Sequence, residues 1–196
     1  MKVGSNTIHK CLKKMRYTKK RVRAIPNERN SPRVIEERRL YASLISIRPD
    51  SDLIFLDESG FNLHCGPNLG WAPSNITPHV ERPGNRGKNI SVLCAITING
   101  ILAYEILEGP YNAEKFIGFL ETKLFSRIQL NSVVIMDNAR IHHTNDVKKK
   151  FEDNRVNVKY LPPYSPQLNP IEEFFGLAKR KLRRIRPIPQ KKNDLI

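Results

Sequence analysis

Cysteine is scarce in this 196-residue chain, and its three copies, Cys11, Cys65 and Cys94, stand far apart and form no CxxC pair. That excludes a disulfide framework and a zinc knuckle, and it points to a reducing compartment. Long hydrophobic runs are missing too. None approaches the roughly 20 apolar residues that cross a bilayer, and the opening MKVGSNTIHKCLKK is too polar for a signal peptide. The expectation is a soluble intracellular protein with no membrane partner, nuclear in a eukaryote and otherwise cytoplasmic. Tryptophan occurs once, at Trp71, yet 39% hydrophobic residues are enough for a globular core.

Acidic residues are also in short supply, with 19 against 34 Lys and Arg, for a net charge of +15. The deficit is confined to the ends. Residues 1–40 carry 13 Lys/Arg against 3 acids and residues 171–196 carry 8 against 3, whereas residues 41–170 hold 13 of each. A neutral body with two basic flanks is the electrostatic footprint of a polyanion binder, and DNA is the expected partner. Candidate contacts are Lys13, Lys14, Arg16, Lys19, Lys20, Arg21 and Arg23 at the front, and Lys179, Arg180 and Arg183 at the back. The run KRKLRR (179–184) reads equally as a nuclear import signal or as a phosphate-contacting helix face.

Taken in order, residues 5–15 predict a short helix with Ile8, Cys11, Leu12 and Met15 on one face, followed by a basic arm to residue 23. A helix this short cannot bury its own apolar side. It reads as the last helix of a helix-turn-helix module or as an ordinary amphipathic helix. Residues 24–32 form a Pro/Asn/Ser linker, and 33–47 a helix with Val34, Ile35, Leu40, Leu44 and Ile45 as an imperfect apolar face. Strands are expected at 53–57, 89–98, 101–107, 133–136 and 156–161, with a turn beginning at Gly60 and Phe61 and a hairpin signal at Asn99-Gly100. Helices are expected at 112–124, 146–153 and 170–184, and the stretch 65–87 as strand-loop-strand. The predicted organisation is a DNA-binding helix and arm (1–23), a linker and helix (24–51), a catalytic domain (52–186) and a tail (187–196).

Three carboxylates stand out within this layout. The apolar runs 53–56 and 132–136 each deliver an aspartate to a strand end, Asp57 and Asp137, and Glu172 opens the last helix after a proline-rich loop. A lone strand-end Asp is ordinarily a turn or cap residue. Three acids on rigid elements instead suit Mg2+ or Mn2+, two of which about 3.5–4 Å apart clamp the attacking and leaving oxygens of a phosphodiester. Glu58 lies one step along the strand from Asp57 and faces the other way. Glu173 sits about 100° around the helix from Glu172, so neither neighbour is a ligand candidate. The adjacent His142 and His143 lack the Cys/His companions of a zinc site.

The blocks LDESGF (56–61), MDNARIHH (136–143) and PPYSPQLNPIE (162–172) resemble the three acidic motifs of mariner-superfamily DDE transposases. The 34 residues between Asp137 and Glu172 match the spacing of one large branch, and GKNISVLCAITINGILAY (87–104) and Gly70-Trp71 resemble that family as well. The likeness covers roughly residues 50–185. It implies an α/β, RNase H-like mixed sheet flanked by helices, here with a basic helical N-terminal extension. It also implies two magnesium or manganese ions held by Asp57, Asp137 and Glu172, cutting at transposon ends, strand transfer into target DNA, and a homodimer pairing two ends. Asn138 and His142 fall on positions near the active site, where they orient a ligand or contact phosphate. Complete members resemble two helix-turn-helix units followed by the catalytic domain. Before Asp52 this chain offers at most the last recognition helix and its basic linker, and 24 residues follow Glu172. An intact triad on an incomplete scaffold is compatible with a decayed element copy. The alternatives are a co-opted or inactive DNA-binding remnant and a nuclease of the same fold without strand transfer.

Overall fold

The computed structural model describes residues 4–18, 20, 24–62, 72–77 and 89–185. Within them a five-stranded sheet runs in the order β3-β2-β1-β4-β5. Its strands are β1 (Leu53–Asn62), β2 (Asn89–Thr97), β3 (Gly100–Glu108), β4 (Val133–Met136) and β5 (Asn157–Tyr160). The pairs β1–β2 and β2–β3 are antiparallel, whereas β1–β4 and β4–β5 are parallel. This is a mixed α/β sheet of the RNase H type, as the family resemblance implies. Cys65, Trp71 and most of the expected strand-loop-strand lie outside the described residues.

Alternation along the strands divides the core into two faces. Ile54, Leu56, Val134 and Met136 point one way, onto α3 (Ala113–Phe119) and α4 (Asn145–Asp153), where Phe116, Phe119, Leu120, Leu124, Val147 and Phe151 complete the main core. Asn112 and Thr144 cap these two helices, each accepting a backbone N–H with its side-chain oxygen. The expected helix over 112–124 is present, but its second half widens into a π turn at Leu120–Leu124. Leu53, Val133 and Ile135 face the other way and meet Tyr41 and Ile45 of α2 (Pro32–Ser46). Helix α5 (Pro170–Ile185) covers this same face further along β1 and β2, through Ile171 and Phe175 against Cys94, Phe55 and Phe61. Among the described residues no helix is long and apolar enough to cross a membrane.

Three expectations are corrected by packing. Strand β1 does not turn at Gly60 and Phe61 but continues to Asn62, because β2 pairs with it through Gly60↔Ser91, Phe61↔Ile90 and Asn62↔Asn89. The β2–β3 turn is Ile98-Asn99 rather than Asn99-Gly100: Thr97 pairs with Gly100, which opens β3 at φ 116°, a conformation suited to glycine. On α2 the buried side is Val34 with Tyr41 and Ile45, while Ile35, Leu40 and Leu44 are each about half exposed. Helix α1 (Ser5–Lys14) forms as expected and buries nothing, leaving Ile8, Leu12 and Met15 in solvent.

Candidate active site

Register, more than any single residue, builds the site. In the parallel pair β1–β4, Leu53 lies beside Val133, Ile54 beside Val134 and Phe55 beside Ile135. Each partner is 80 positions on, so the same register carried forward sets Asp57 level with Asp137. Both aspartates belong to the odd-numbered side of their strands, the side α5 covers. Neighbouring strands run about 4.8 Å apart, so two carboxylates at one level cannot avoid each other's field.

Glu172 reaches the same place from α5. The loop before it is stiffened by Pro162, Pro163 and Pro166, and by Tyr164 at φ 54°. Ser165 is buried, its hydroxyl donating to the Pro163 carbonyl at 2.9 Å. Pro170 then takes the first helical position, where its fixed φ is favourable and its missing N–H loses nothing. Ile171, fully buried, anchors this first turn beside Cys94, the residue that pairs with Asp57 across β1 and β2. Burying such a side chain stabilises the fold by about 2 kcal/mol. Glu172 itself is exposed at the helix start, with Glu173 exposed beside it.

The electrostatics record the convergence. Burial pushes the Asp57 carboxyl up to about 6, and the charges of Asp137 and Glu172 add to the rise. The Glu58 N–H, donating to Asp57 Oδ1 at 2.7 Å, opposes it, as does the more distant His142. Asp137 moves the other way. His142 Nδ1, 2.9 Å from Asp137 Oδ1, holds that carboxyl below its usual range, helped by the Ala139 N–H at 3.0 Å. Two aspartates at one level are thus pushed apart in acidity by their different partners.

His142 is 2% exposed and packs on the Phe116 ring at 4.7 Å. Because its Nδ1 faces a carboxylate, the proton sits on Nδ1. Its ring nitrogen thus fixes the orientation of the Asp137 carboxylate from within the core. Asn138 is exposed, yet its side chain is tied down: Nδ2 donates to the Leu161 carbonyl at 2.5 Å and Oδ1 lies 3.2 Å from His143 Nε2. It ties the end of β4 to the end of β5, a brace beneath Asp137. His143 stacks on Tyr160 at 4.1 Å, so the two histidines diverge as a shared zinc ion would not allow. Glu58 faces away as its position on the strand predicts, toward Tyr111 on the opposite side of the sheet, a phenol raised by burial and by Glu105, with a smaller contribution from Glu58.

Asn169 was not among the residues the sequence singled out. It is 3% exposed, and its Nδ2 donates to Asp57 Oδ2 at 3.0 Å across 112 residues of chain. The available signal was its place directly before Pro170, at a helix start, which suggests a cap and nothing about Asp57.

Of the expected DNA contacts, Lys13, Lys14, Arg16, Lys20 and Arg180 are exposed. Lys179 is half-buried, its ammonium 5.3 Å from the centre of the Phe61 ring. Lys19, Arg21 and Arg23 lie outside the described residues, and so does the side chain of Arg183.

The donor set suits a hard divalent cation, since all three candidate ligands are carboxylates and their mutual repulsion is what such an ion relieves. The arrangement is open. Among the described residues no three His, Cys, Asp or Glu side chains are drawn together closely enough to enclose an ion.

Comparison with known proteins gives a consistent result. Residues 52–195 match the family described as DDE superfamily endonuclease. The transposable element Tc3 transposase of Caenorhabditis elegans is 30% identical over 138 residues, which is 66% of this chain and 42% of that protein. The Mos1 strand transfer complex superposes with a TM-score of 0.75 at 21% identity, over 92% of this chain and 57% of that one. The Mos1 mariner paired end complex with Mn gives 0.74 at 20% identity, over 96% and 60%. This chain therefore spans about half the length of the relatives it matches.

Proposed function

Since the chain belongs to the DDE superfamily endonucleases, we propose that Asp57, Asp137 and Glu172 form a divalent-metal site that cleaves DNA strands and transfers the exposed 3′ end into target DNA. The observation that carries this reading is the parallel register of β1 and β4, whose continuation brings Asp57 level with Asp137 just past β4, together with the contribution of Asp137 and Glu172 charges to the raised Asp57 carboxyl. Magnesium or manganese fits the all-oxygen donor set, and Mos1 complexes have been solved with each. When bound, a pair of such ions lowers the barrier to in-line displacement at phosphorus by stabilising the attacking and leaving oxygens.

The protein's own part is placement. The middle of β1 and the end of β4 fix two ligands, His142 holds one Asp137 oxygen, and exposed Glu172 completes the set. In cleavage, the oxygen of a water bonds to phosphorus as the bond to the 3′ oxygen breaks, and the 3′ oxygen leaves as a hydroxyl. In transfer, that hydroxyl oxygen bonds to a target phosphorus and displaces the target's own 3′ oxygen. DNA is held by the exposed basic residues of the flanks, Lys13, Lys14, Arg16, Lys20 and Arg180. Two copies pairing two transposon ends belong to the same reading, and Mos1 transposase has been solved as a paired-end complex with its left transposon end.

The test is a nicking assay on supercoiled plasmid, followed by joining of a pre-cut, 3′-hydroxyl-bearing duplex to a second plasmid. We expect nicking with Mn2+ or Mg2+, none with EDTA, and joined product. Nicking without joining would reduce the function to that of a nuclease. Salt-sensitive DNA binding by a folded protein that does not cut would leave a binding remnant.

A further inference from the structure

A buried asparagine at a helix start ordinarily turns its side-chain oxygen onto the N–H groups of the first turn. Asn169 occupies that position in α5, and its side chain does something else. The Glu172 N–H is taken at 3.1 Å by the Asn169 backbone carbonyl. The side chain instead swings toward β1, where Nδ2 donates to Asp57 Oδ2 at 3.0 Å. Its Oδ1 is left buried with no hydrogen-bond partner among the described residues. A buried acceptor without a partner lowers stability, so the orientation is not one that helix capping alone would select.

The consequence falls on Asp57. Its Oδ1 takes the Glu58 N–H from its own strand and its Oδ2 takes the amide from the start of α5. One donor fixes the carboxylate to β1. The other fixes it to the helix that carries Glu172 three residues later. Each of these oxygens retains a lone pair for a cation. Asp137 also pairs with a backbone N–H and a side chain, Ala139 and His142, though both meet its Oδ1. Partners of this kind orient metal ligands, and their loss ordinarily weakens metal affinity by 10–100-fold.

We propose that Asn169 is a positioning residue: it locks the Asp57 carboxylate to the Glu172 helix, so that the two ligands keep one spacing before metal arrives. This rests on the metal-site reading above. Asn169 touches neither DNA nor the reacting atoms in this account and acts only through Asp57.

Asn169→Ser and Asn169→Ala separate positioning from capping. Serine is as good a cap as asparagine, and alanine is a poor one, yet neither can donate across to Asp57. The readouts are melting temperature without metal, melting temperature across a Mn2+ titration, and the Mn2+ concentration giving half-maximal nicking. The expected result is a 10–100-fold rise in the Mn2+ requirement in both variants, by both metal readouts, with nicking largely restored at saturating Mn2+. If serine keeps the wild-type Mn2+ requirement and alanine only lowers the metal-free melting temperature, Asn169 is a cap and the inference is wrong. Should alanine fail to fold, the serine variant decides alone. Wild-type protein and Asp137→Ala serve as references. A Mn2+-dependent shift in wild type that Asp137→Ala loses, combined with unaltered Asn169 variants, would overturn this inference and leave the metal site standing. No Mn2+ effect on the wild type would overturn both.

Discussion

Replacing Asp137 by alanine is expected to lower Mn2+-dependent nicking of supercoiled DNA by at least about a thousandfold. A ligand that helps place a cation against the developing charge contributes several kcal/mol to the transition state, and each 1.36 kcal/mol is tenfold in rate. Folding should survive. The substitution removes the Oδ1 that His142 Nδ1 and the Ala139 N–H share, leaving the imidazole only the longer 3.3 Å approach to the residue-137 carbonyl. Loss of that buried pairing costs about 1–3 kcal/mol. Asp137→Asn keeps an oxygen toward His142 and should be equally inactive with a smaller loss of stability. Cutting at the wild-type rate by both variants would remove Asp137 from the site.

Asp57→Asn is expected to separate stability from activity, with opposite signs. In the folded, metal-free protein the Asp57 carboxyl titrates near 6, against about 4 in an unfolded chain. Between those values the folded state binds more protons than the unfolded one, so this group makes stability fall as pH rises from about 4 to about 6. Above 6 the penalty is fully present. Asp137 contributes with the reverse sign, since its lowered value favours the folded state above the unfolded range and that gain is lost on acidification. Asparagine mimics the protonated acid. Its oxygen can keep the Glu58 N–H, and a flip of Asn169 would bring that residue's unpartnered Oδ1 against the new amide.

After discounting for the partial exposure of the group, the gain at pH 7.5 without metal is about 1–2 kcal/mol. For a chain of this size that is roughly 3–6 °C in melting temperature. At pH 4 the advantage should vanish. In saturating Mn2+ the order should invert, because wild type gains stability from the bound ion and the variant does not, while nicking by the variant falls to background. A variant less stable than wild type at pH 7.5 without metal would contradict the reading of Asp57 as a carboxylate held ionised against its surroundings.

Much of this site is legible in the sequence because short apolar strand runs lead directly to its two aspartates. The runs LIFL and VVIM end in an acid, and period-two alternation already assigns Asp57 and Glu58 to opposite faces. What the sequence does not carry is pairing. Nothing local says that Leu53 lies beside Val133, and that register is what sets Asp57 level with Asp137. The same limit explains the misread end of β1, where Gly60-Phe61 looks like a turn until β2 pairs across it. It explains α2 as well, whose apolar residues lie on several sides of the helix, so that only contact with Leu53 and Val133 selects Tyr41 and Ile45 as the inward pair. Asn169 was missed for a related reason. Its identity and place spell a cap, and its partner lies 112 residues away.

The most direct measurement is anomalous scattering from crystals of this chain soaked in Mn2+, wild type beside Asp137→Ala. Manganese is expected in contact with the Asp57 and Asp137 carboxylates on the side where α5 brings Glu172, with loss of that density in the variant. Manganese bound elsewhere, or held undiminished after Asp137 is removed, would contradict it.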